Sequence, residues 1–363
     1  MAKTRVILTG ADGLIGSHVL AQLLSSSSVS VRAVVGSREA AAVLQQRYQQ
    51  GIAASFDVSL LPGQDLSVPG VFDGVLCGTA EPFTAVVHTL VSSSSDRADC
   101  LARFINLEID IILSLLGSVQ ETARSVTRVV IVTSLTPFAR WLVGPDNGRG
   151  SARLLDGQAS ATTTDTTYVL ATSQASDNIV YDSVTGWVRK SGGRFAITYV
   201  TVPEVYGPTI FPLETSTDLS VANRRIWDIC SNEPPERTEM SPYGVDHFLD
   251  VRDLATSTIR ALFVPQAANK RFVISAGIMP PGSKIAEYIV GQFPRLAGRI
   301  RIDGIPHRHN QLDDPTLDSF DMYLLASILG ITYLRSPEVT ILDTTRQILD
   351  LQQRKTWKNV IES

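Results

Sequence analysis

The sequence predicts an α/β fold built on a doubly wound parallel sheet, and three observations support this prediction. The apolar run at residues 6–8 leads into a glycine-rich stretch, residues 9–16, which an apolar helical pattern follows. Strand and helix patterns then alternate along the chain, which is typical of a parallel sheet covered by helices on both faces. Residues 128–133 contain the continuous apolar run Val-Val-Ile-Val, as expected of a strand buried on both faces.

The glycine-rich stretch reads Thr-Gly-Ala-Asp-Gly-Leu-Ile-Gly and stands between a buried strand and an amphipathic helix. This arrangement opens a Rossmann-type fold, in which the turn brings the backbone close to a pyrophosphate. The N–H groups and the dipole at the helix N-terminus then bind the negative charge. The expected cofactor-binding residues are Gly10, Asp12, Gly13, Leu14, Ile15 and Gly16. The alternative is an ordinary strand-to-helix turn whose glycines serve close packing.

The end of the second strand, residues 29–35, normally decides which cofactor such a fold binds. A carboxylate there binds the adenosine ribose 2′-OH of NAD, whereas a cation accepts the 2′-phosphate of NADP. Here Arg38 follows the strand closely, and the first carboxylate after the strand is that of Glu39. We therefore expect NADP(H), with Arg38 at the phosphate and Arg32 as a second candidate. The alternative interpretation of Arg38 is a solvated surface arginine.

The remaining elements are predicted from apolar patterning and from capping residues. In chain order they are a helix over 38–55, strands over 56–61 and 83–91, a helix over 101–119, a strand over 195–202, a short strand and helix from residue 248, a strand over 270–276, and a helix starting at Ser336-Pro337. Serine as the cap and proline in the first turn indicate that last helix start. Residues 144–167 are rich in Gly, Asp, Asn, Ser and Thr and are interpreted as a surface loop near the site.

The chain changes character from Tyr206 onward, where prolines become frequent and the alternation of strands and helices is interrupted. We expect a dinucleotide-binding Rossmann domain over residues 1–204 and 248–276. A smaller C-terminal substrate-binding subdomain, which also forms a lid, is expected over residues 205–247 and 277–363.

Composition excludes several classes of function. The chain has 363 residues, a net charge of −4 and a pI of about 5.8, so we expect no binding to nucleic acid or to a membrane surface. No apolar run approaches the ~20 residues that span a bilayer, and we expect no signal peptide before the early first strand. The three cysteines form no metal pattern, and His307 and His309 lack acidic or cysteine partners nearby, so no metal site is predicted. We expect a cytoplasmic monomer or homodimer that binds a small molecule.

Four landmarks fall in order along the chain: the loop at residues 9–16, Asp65-Leu66, Val-Tyr-Gly-Pro at residues 205–208 and Asp-Val-Arg-Asp at residues 250–253. With them the chain resembles the extended short-chain dehydrogenase/reductase family, also described as NAD-dependent epimerases/dehydratases. The resemblance is closest to fungal aldehyde and methylglyoxal reductases and to dihydroflavonol reductases. It implies that Asp65 and Leu66 lie on the adenine side of the cofactor.

The catalytic positions depart from the family's pattern. The family reduces carbonyls with a Tyr-x-x-x-Lys pair on one helix and with a serine after the fifth strand. The matching positions here are Tyr168, Thr172 in place of the lysine, and Leu135 in place of the serine. The resemblance makes Tyr168 the candidate proton donor, and Ser134 or Thr136 could supply the second hydroxyl if the turn is rebuilt.

The missing lysine has an energetic consequence. A tyrosine has a pKa near ~10, and lowering that pKa to ~7 requires about 4 kcal/mol, which the uncharged Thr172 does not supply. We therefore expect the usual hydride-transfer mechanism to be impaired, although Tyr168 can still polarise a carbonyl as a neutral phenol. The nucleotide loop, by contrast, is intact.

Three aromatic residues are candidates for an apolar substrate pocket. Phe138 and Trp141 follow closely after Leu135, the residue in place of the family's serine, and Tyr206 stands at the start of the predicted lid. Small-molecule sites are usually lined by such side chains, although packing in the core is the alternative. His88, within the predicted fourth strand, is interpreted as a buried core histidine.

Three functions are consistent with these residues. The favoured hypothesis is an enzyme for a small, largely apolar, carbonyl-bearing molecule of the secondary-metabolite type, which it isomerises, cyclises or dehydrates without redox chemistry. In that case bound nucleotide is structural or absent. The second hypothesis is an NADP(H)-dependent carbonyl reductase with a rearranged proton donor. The third is a non-catalytic NADP-binding protein. Only the reductase oxidises NADPH in proportion to product.

Overall fold

A computed structural model describes residues 4–48, 55–61, 65–77, 81–90, 101–136, 138, 166–211, 213–231, 247–300 and 322–361 of the chain. The strands are β1 (Thr4–Thr9), β2 (Val29–Val35), β3 (Phe56–Leu60), β4 (Ala85–His88), β5 (Arg128–Ser134), β6 (Ala196–Val202), β7 (Glu204–Tyr206), β8 (Phe248–Asp250) and β9 (Arg271–Val273). The α-helices are α1 (Leu14–Leu24), α2 (Arg38–Tyr48), α3 (Asp73–Leu76), α4 (Leu101–Thr122), α5 (Thr166–Ser191), α6 (Val221–Cys230), α7 (Val251–Phe263), α8 (Gly282–Gln292), α9 (Met322–Leu329) and α10 (Pro337–Ile361).

Seven strands form one parallel sheet in the order β3-β2-β1-β4-β5-β6-β9, and β7 pairs with β8 in a second parallel sheet. From β1 the chain first builds the sheet outward through β2 to β3. It then returns to the other side of β1 with β4 and continues outward through β5 and β6. This reversal creates a switch point between β1 and β4, which is where doubly wound sheets bind their ligands. The predicted fold class, a Rossmann-type doubly wound sheet, is confirmed.

Helices cover both faces of the large sheet because successive strand residues point to opposite sides. In β1, Ile7 packs into the core beneath α4 and α5. Its neighbours Val6 and Leu8 pack into a second core beneath α1 and α7. Strands that supply apolar side chains to two cores must be apolar at consecutive positions, which explains the continuous apolar runs in the sequence.

A third core joins the small β7–β8 sheet to the helices of the C-terminal part. Tyr206 and Phe248 from the two strands pack with Ile226 of α6, Ile285 of α8 and Ile348 of α10. This core is formed by residues close to or within the predicted C-terminal subdomain, whose boundaries remain a prediction.

Some elements are shorter than predicted because the partner strand limits them. β4 covers Ala85–His88 instead of 83–91, since those four residues are the ones that pair with β1. β9 covers Arg271–Val273 instead of 270–276 because only three residues pair with β6. α2 ends at Tyr48, and residues 49–54 of the predicted helix lie outside the described residues. The same holds for most of the predicted loop at 144–167, of which residues 166 and 167 begin α5.

The predicted C-terminal helix start is confirmed, since α10 begins at Pro337 directly after Ser336. Within the described ranges, no helix is both long enough and apolar enough to cross a membrane.

Candidate functional site

An open cleft of about 400 Å³ lies at the carboxyl edge of the large sheet, beside the switch point between β1 and β4. The glycine loop, the segments that follow β4 and β5, the start of β7 and the start of α6 all contribute to its wall. The described lining residues are Gly10, Asp12, Gly13, Leu14, Ile15, Thr89, Leu90, Ser134, Thr136, Glu204, Val205, Ser220 and Val221. The topology and this convergence make the cleft the candidate functional site.

The glycine loop forms one wall of the cleft, and its shape depends on the absence of side chains. Gly10 has a φ of 71°, in the left-handed region. A Cβ atom at Gly16 would lie 2.0 Å from the carbonyl oxygen of Gly10, so a side chain does not fit there. Gly13 is the N-cap of α1 and carries no side chain that could cap the first turn, which leaves that turn open to an anion from the cleft. The loop therefore fits the pyrophosphate of a dinucleotide.

Two arginines were candidates for the 2′-phosphate of NADP, and the structure separates them. Arg32 in β2 donates to Asp57 Oδ2 from Nε at 2.9 Å and from Nη2 at 2.6 Å. Its Nη1 donates to the carbonyl oxygens of Val75 and Cys77. Arg32 is therefore engaged in holding neighbouring segments together. Arg38 is the exposed first residue of α2, beyond the end of β2, and remains the candidate.

Asp65 and Leu66, predicted on the adenine side, lie in a turn between β3 and α3. The exposed Asp65 accepts hydrogen bonds at Oδ1 from the backbone N–H of Ser67 at 3.0 Å and from its hydroxyl at 2.6 Å. Leu66 packs partly buried against the core beneath α4. Neither residue belongs to the described cleft lining, so their contact with adenine stays a prediction.

The structure brings the two candidate hydroxyls, Ser134 and Thr136, to the cleft beside the glycine loop. The backbone N–H of Thr136 donates to Ser134 Oγ at 3.2 Å. Thr136 is buried, and its Oγ1 has no hydrogen-bond partner among the described residues. Leu135, which the sequence predicts at the family's serine position, is fully buried in the core. The turn after β5 therefore places Ser134 and Thr136 in the wall of the cleft and the leucine side chain in the interior.

The helix α5 carries Tyr168 and Thr172, which the sequence predicts at the positions of the family's Tyr-x-x-x-Lys pair. Tyr168 lies in its first turn, and Thr172 follows one turn later. The side chain of Tyr168 lies outside the described part of the structure. Thr172 is half-buried and is not one of the described residues of the cleft wall. Its backbone carbonyl accepts a hydrogen bond from Ser176 Oγ at 2.8 Å.

Two of the three predicted pocket aromatics lie in cores instead of the cleft wall. Phe138 is 3% exposed and meets the ring of Phe104 at a centroid distance of 5.2 Å and an interplanar angle of 74°. Tyr206 is 1% exposed and belongs to the third core, where its hydroxyl accepts a hydrogen bond from Arg225 Nη1 at 2.6 Å. The alternative of core packing therefore describes both residues. Trp141 lies outside the described residues.

His88 is a core histidine, as the sequence predicted. It ends β4, is 1% exposed, and its Nδ1 lies 2.8 Å from Thr9 Oγ1. Burial lowers the pKa of His88 to about 4, so the ring is neutral at neutral pH. The ring faces a small enclosed cavity of about 20 Å³ behind Ser134, which Asp177 of α5 also lines. Asp177 in turn accepts a hydrogen bond from Thr201 Oγ1 at 2.9 Å.

Glu204 lines the cleft, although no motif in the sequence predicts it. It is 7% exposed and begins β7, immediately after Pro203. The available signal was its position directly before the Val-Tyr-Gly-Pro landmark at residues 205–208, at the point where the chain leaves β6. A chain that leaves a parallel strand does so at the carboxyl edge of the sheet, where the site lies.

No group of histidine, cysteine, aspartate and glutamate side chains suited to a metal ion occurs within the described residues. His307 and His309 lie outside them.

No family model matches the chain. An uncharacterized oxidoreductase of Schizosaccharomyces pombe is 26% identical over 357 residues, which cover 96% of this chain and 98% of the relative. Ketoreductase azaE of Aspergillus niger is 25% identical over 335 residues, which cover 91% of this chain and 93% of the relative. The solved structure of yeast methylglyoxal/isovaleraldehyde reductase Gre2 complexed with NADPH matches with a TM-score of 0.68 at 21% identity, covering 97% of this chain and 100% of that one.

These similarities extend over nearly the whole chain. The curated relatives carry the names of oxidoreductases, and the solved structure shares the doubly wound fold. Together with the four landmarks and the switch-point cleft, the comparisons confirm the resemblance of this chain to the extended short-chain dehydrogenases/reductases.

Proposed function

We propose that this chain is an NADP(H)-dependent carbonyl reductase whose proton-donating groups differ from the Tyr-x-x-x-Lys pair. One observation carries the proposal: the glycine loop and the hydroxyl residues Ser134 and Thr136 line the same cleft at the switch point. A reductase requires this combination, because the cofactor and the polarised carbonyl must meet in one place. The names of the relatives, a ketoreductase and a reductase complexed with NADPH, support the same reaction type.

The described residues can bind two groups of such a cofactor, its pyrophosphate and its 2′-phosphate. The first turn of α1 binds the pyrophosphate through backbone N–H groups. Arg38, exposed beyond β2, accepts the 2′-phosphate. When bound, the reduced nicotinamide supplies a hydride to the carbonyl carbon of the substrate.

The hydroxyls then act on the carbonyl oxygen. Thr136 Oγ1 is buried and makes no hydrogen bond to another described residue, so a rotation of this side chain towards the cleft lets it donate one to a substrate oxygen. Ser134 holds the turn by accepting from the N–H of Thr136 at 3.2 Å. Tyr168 supplies a second hydrogen bond as a neutral phenol, because Thr172 carries no charge that would lower the pKa of a tyrosine. Donors of this kind stabilise the negative charge that develops on the oxygen.

A second candidate function is non-redox chemistry on a carbonyl-bearing molecule in the same cleft. It is favoured by two catalytic positions that have changed together, Thr172 for the lysine and the buried Leu135 for the serine. We rank this function below the reductase because the names of the relatives point to reduction.

The first experiment is titration of the purified chain with NADPH and NADH, followed by a panel of aldehydes, dicarbonyls and aryl ketones. We expect selective binding of NADPH and the oxidation of one NADPH for each alcohol formed. Conversion of a carbonyl substrate without NADPH oxidation would contradict the proposal and support non-redox chemistry. Binding of NADPH without turnover of any carbonyl in the panel would also contradict it.

Arg38→Ala tests the choice of cofactor. We expect the KM for NADPH to rise by about tenfold or more, with little change for NADH, because one charge-assisted contact to the phosphate is lost. Arg189→Ala removes the same charge at the far end of α5 and should change neither KM. An equal rise of the KM for NADPH and the KM for NADH in Arg38→Ala would show that this arginine does not bind the 2′-phosphate.

A further inference from the structure

We propose that the enclosed cavity of about 20 Å³ behind Ser134 binds one water molecule, and that His88 holds this water as a positioning residue of the candidate site. The positioning role rests on the proposed reductase function, whereas the water site itself does not. Three observations carry the inference: a buried ring nitrogen of His88, the size and polarity of the cavity, and the wall that the cavity shares with the cleft.

The ring of His88 has one nitrogen that is hydrogen-bonded and one that is not. Nδ1 lies 2.8 Å from Thr9 Oγ1, whereas Nε2 is buried and has no hydrogen-bond partner among the described residues. Such an atom is rare in folded proteins, because it loses its hydration without compensation. Nε2 of a neutral ring can donate or accept one hydrogen bond, depending on the tautomer. A water molecule satisfies it in either case.

The strand order places this nitrogen on the side of the cavity. β4 lies between β1 and β5, with His88 beside Thr9 on one side and beside Ile131 on the other. The two nitrogens of an imidazole ring point in widely different directions, so a ring whose Nδ1 contacts β1 directs Nε2 away from that strand. The cavity lies in that direction, since residues 131–134 of β5 line it together with His88.

The size of the cavity suits a single water molecule. An internal cavity holds a water when it offers roughly 10–15 Å³ of space for the water centre and two to four polar partners. The space here is about 20 Å³, which accommodates one water and no larger ligand.

Polar groups of β5 and α5 line the cavity together with His88. Thr133 and the buried Asp177 are joined through Thr201, whose Oγ1 lies 2.9 Å from Thr133 Oγ1 and donates to Asp177 Oδ2 at 2.9 Å. Because Thr201 gives its proton to Asp177, Thr133 gives its own proton to Thr201 and keeps its oxygen as an acceptor. The walls therefore include oxygen atoms that accept hydrogen bonds from a water held by His88.

The cavity and the cleft are neighbours, since Leu90 and Ser134 line both. Ser134 Oγ accepts from the N–H of Thr136 at 3.2 Å, so a displacement of Ser134 moves the hydroxyl that we propose at the substrate carbonyl. A water in the cavity supports Ser134 from behind, because a filled cavity leaves the turn no room to settle inward. A misplacement of about 1 Å can cost about 10²-fold in rate, and this support therefore acts on kcat.

A crystal structure of the wild-type chain, at a resolution that shows ordered waters, tests the site directly. We expect one water in the cavity, with its oxygen about 2.7–3.2 Å from His88 Nε2. The structure of His88→Gln should retain this water, because the amide can replace Nε2. His88→Met should lose it, since a thioether is at most a weak acceptor. A dry cavity in the wild-type protein would overturn the proposal.

The same two variants form a matched pair for kinetics. Glutamine and methionine are unbranched and of similar length, and neither has a group at the place of Nδ1, so they differ mainly in polarity at the place of Nε2. With NADPH and a carbonyl that the wild type reduces, we expect kcat of His88→Met to lie about tenfold below that of His88→Gln. The KM for NADPH should be the same in both variants. Thermal unfolding confirms that both are folded, and equal kcat values would refute the positioning role.

The two experiments separate failure of this inference from failure of the proposed function, because the crystal structure requires no turnover. A water at His88 Nε2 in a chain that reduces no carbonyl would confirm the water site, while the reductase proposal and the positioning role both fail. Reduction of carbonyls by a chain whose cavity is dry would reject the water site and keep the reductase.

Discussion

Two glycines of the same loop differ in their tolerance for a side chain. A Cβ atom at Gly16 would lie 2.0 Å from the carbonyl oxygen of Gly10. At Gly13 the corresponding distance is 3.4 Å, an ordinary contact, and nothing else lies within 4 Å. Gly13 is also in an extended conformation, with φ −76° and ψ 170°, which any residue adopts. The fold therefore needs a glycine at position 16, whereas the open space beside Gly13 serves a ligand.

We expect Gly13→Val to keep the fold but to abolish NADPH binding, because the new side chain occupies the space that the pyrophosphate needs. NADPH fluorescence titration and thermal unfolding measure the two effects. Gly16→Ala is the matched control for packing and should lower the unfolding temperature markedly. Retention of wild-type NADPH affinity in Gly13→Val would show that the phosphate site lies elsewhere.

His88 makes the stability of the protein depend on pH. Burial lowers the pKa of His88 from 6.5 to about 4, so the unfolded state binds a proton more readily than the folded state does. The contribution of the neutral ring to the free energy of unfolding is fully present above about pH 6.5 and is lost as the pH falls towards about 4. At pH 5 the loss amounts to about 2 kcal/mol relative to pH 8.

When the pH is lowered from 8 to 5, we expect the free energy of unfolding of His88→Leu to fall by about 2 kcal/mol less than that of the wild type. Urea unfolding at both pH values measures this difference. His18, whose pKa burial also lowers, is present in both proteins, so the comparison isolates His88. An equal loss of stability in the two proteins would contradict the assignment.

At the scale of elements, the N-terminus of α7 is tied to α10 through one buried carboxylate. Asp250 caps α7 by accepting from the N–H of Arg252 at 2.8 Å, and it also accepts from Arg252 Nη2 at 2.7 Å and from Thr340 Oγ1 at 2.8 Å. Burial favours a higher pKa for Asp250, but these hydrogen bonds outweigh it and hold that pKa below its usual range. Arg252 also donates to Asp343 of α10 at 2.6 Å.

We expect Asp250→Ala to lower the free energy of unfolding by about 3–5 kcal/mol, because it removes the cap and a buried partner of Arg252. Asp343→Ala removes the other partner, whose side chain is 24% exposed, and should cost about 1 kcal/mol. Urea unfolding of the two variants gives the comparison. Similar losses in both variants would show that burial of the pair does not decide its contribution.

Element types were predicted more reliably than element lengths. The patterns at residues 29–35 and 128–133 give β2 and β5 almost residue for residue, because buried strands need apolar side chains throughout. β4 and β9 are shorter than their apolar runs, because only four residues of the first and three of the second pair with a neighbouring strand. The number of paired residues is a property of the sheet and cannot be predicted from the apolar run of one strand.

At the scale of the whole molecule, the cleft exists because the sheet reverses its winding direction at β1 and β4. This reversal places residues far apart in sequence in one wall, from Gly10 through Thr89 and Ser134 to Glu204 and Ser220. The three cores meet around this edge through β5, β6 and the β7–β8 pair. The site is therefore a product of the assembled sheet.

The amino-acid pattern alone predicts the fold class, the glycine loop and the core position of His88, which the structure confirms, and it predicts altered catalytic positions at Leu135 and Thr172, which remain a prediction. These features are local, since each depends on the residue types and spacing within one strand, turn or helix. Contacts between distant segments are what bind Arg32 to Asp57, pack Phe138 and Tyr206 in cores and bring Glu204 to the cleft. Those outcomes depend on which segments the strand order of the sheet brings side by side, and the residue pattern within one segment does not specify its neighbours.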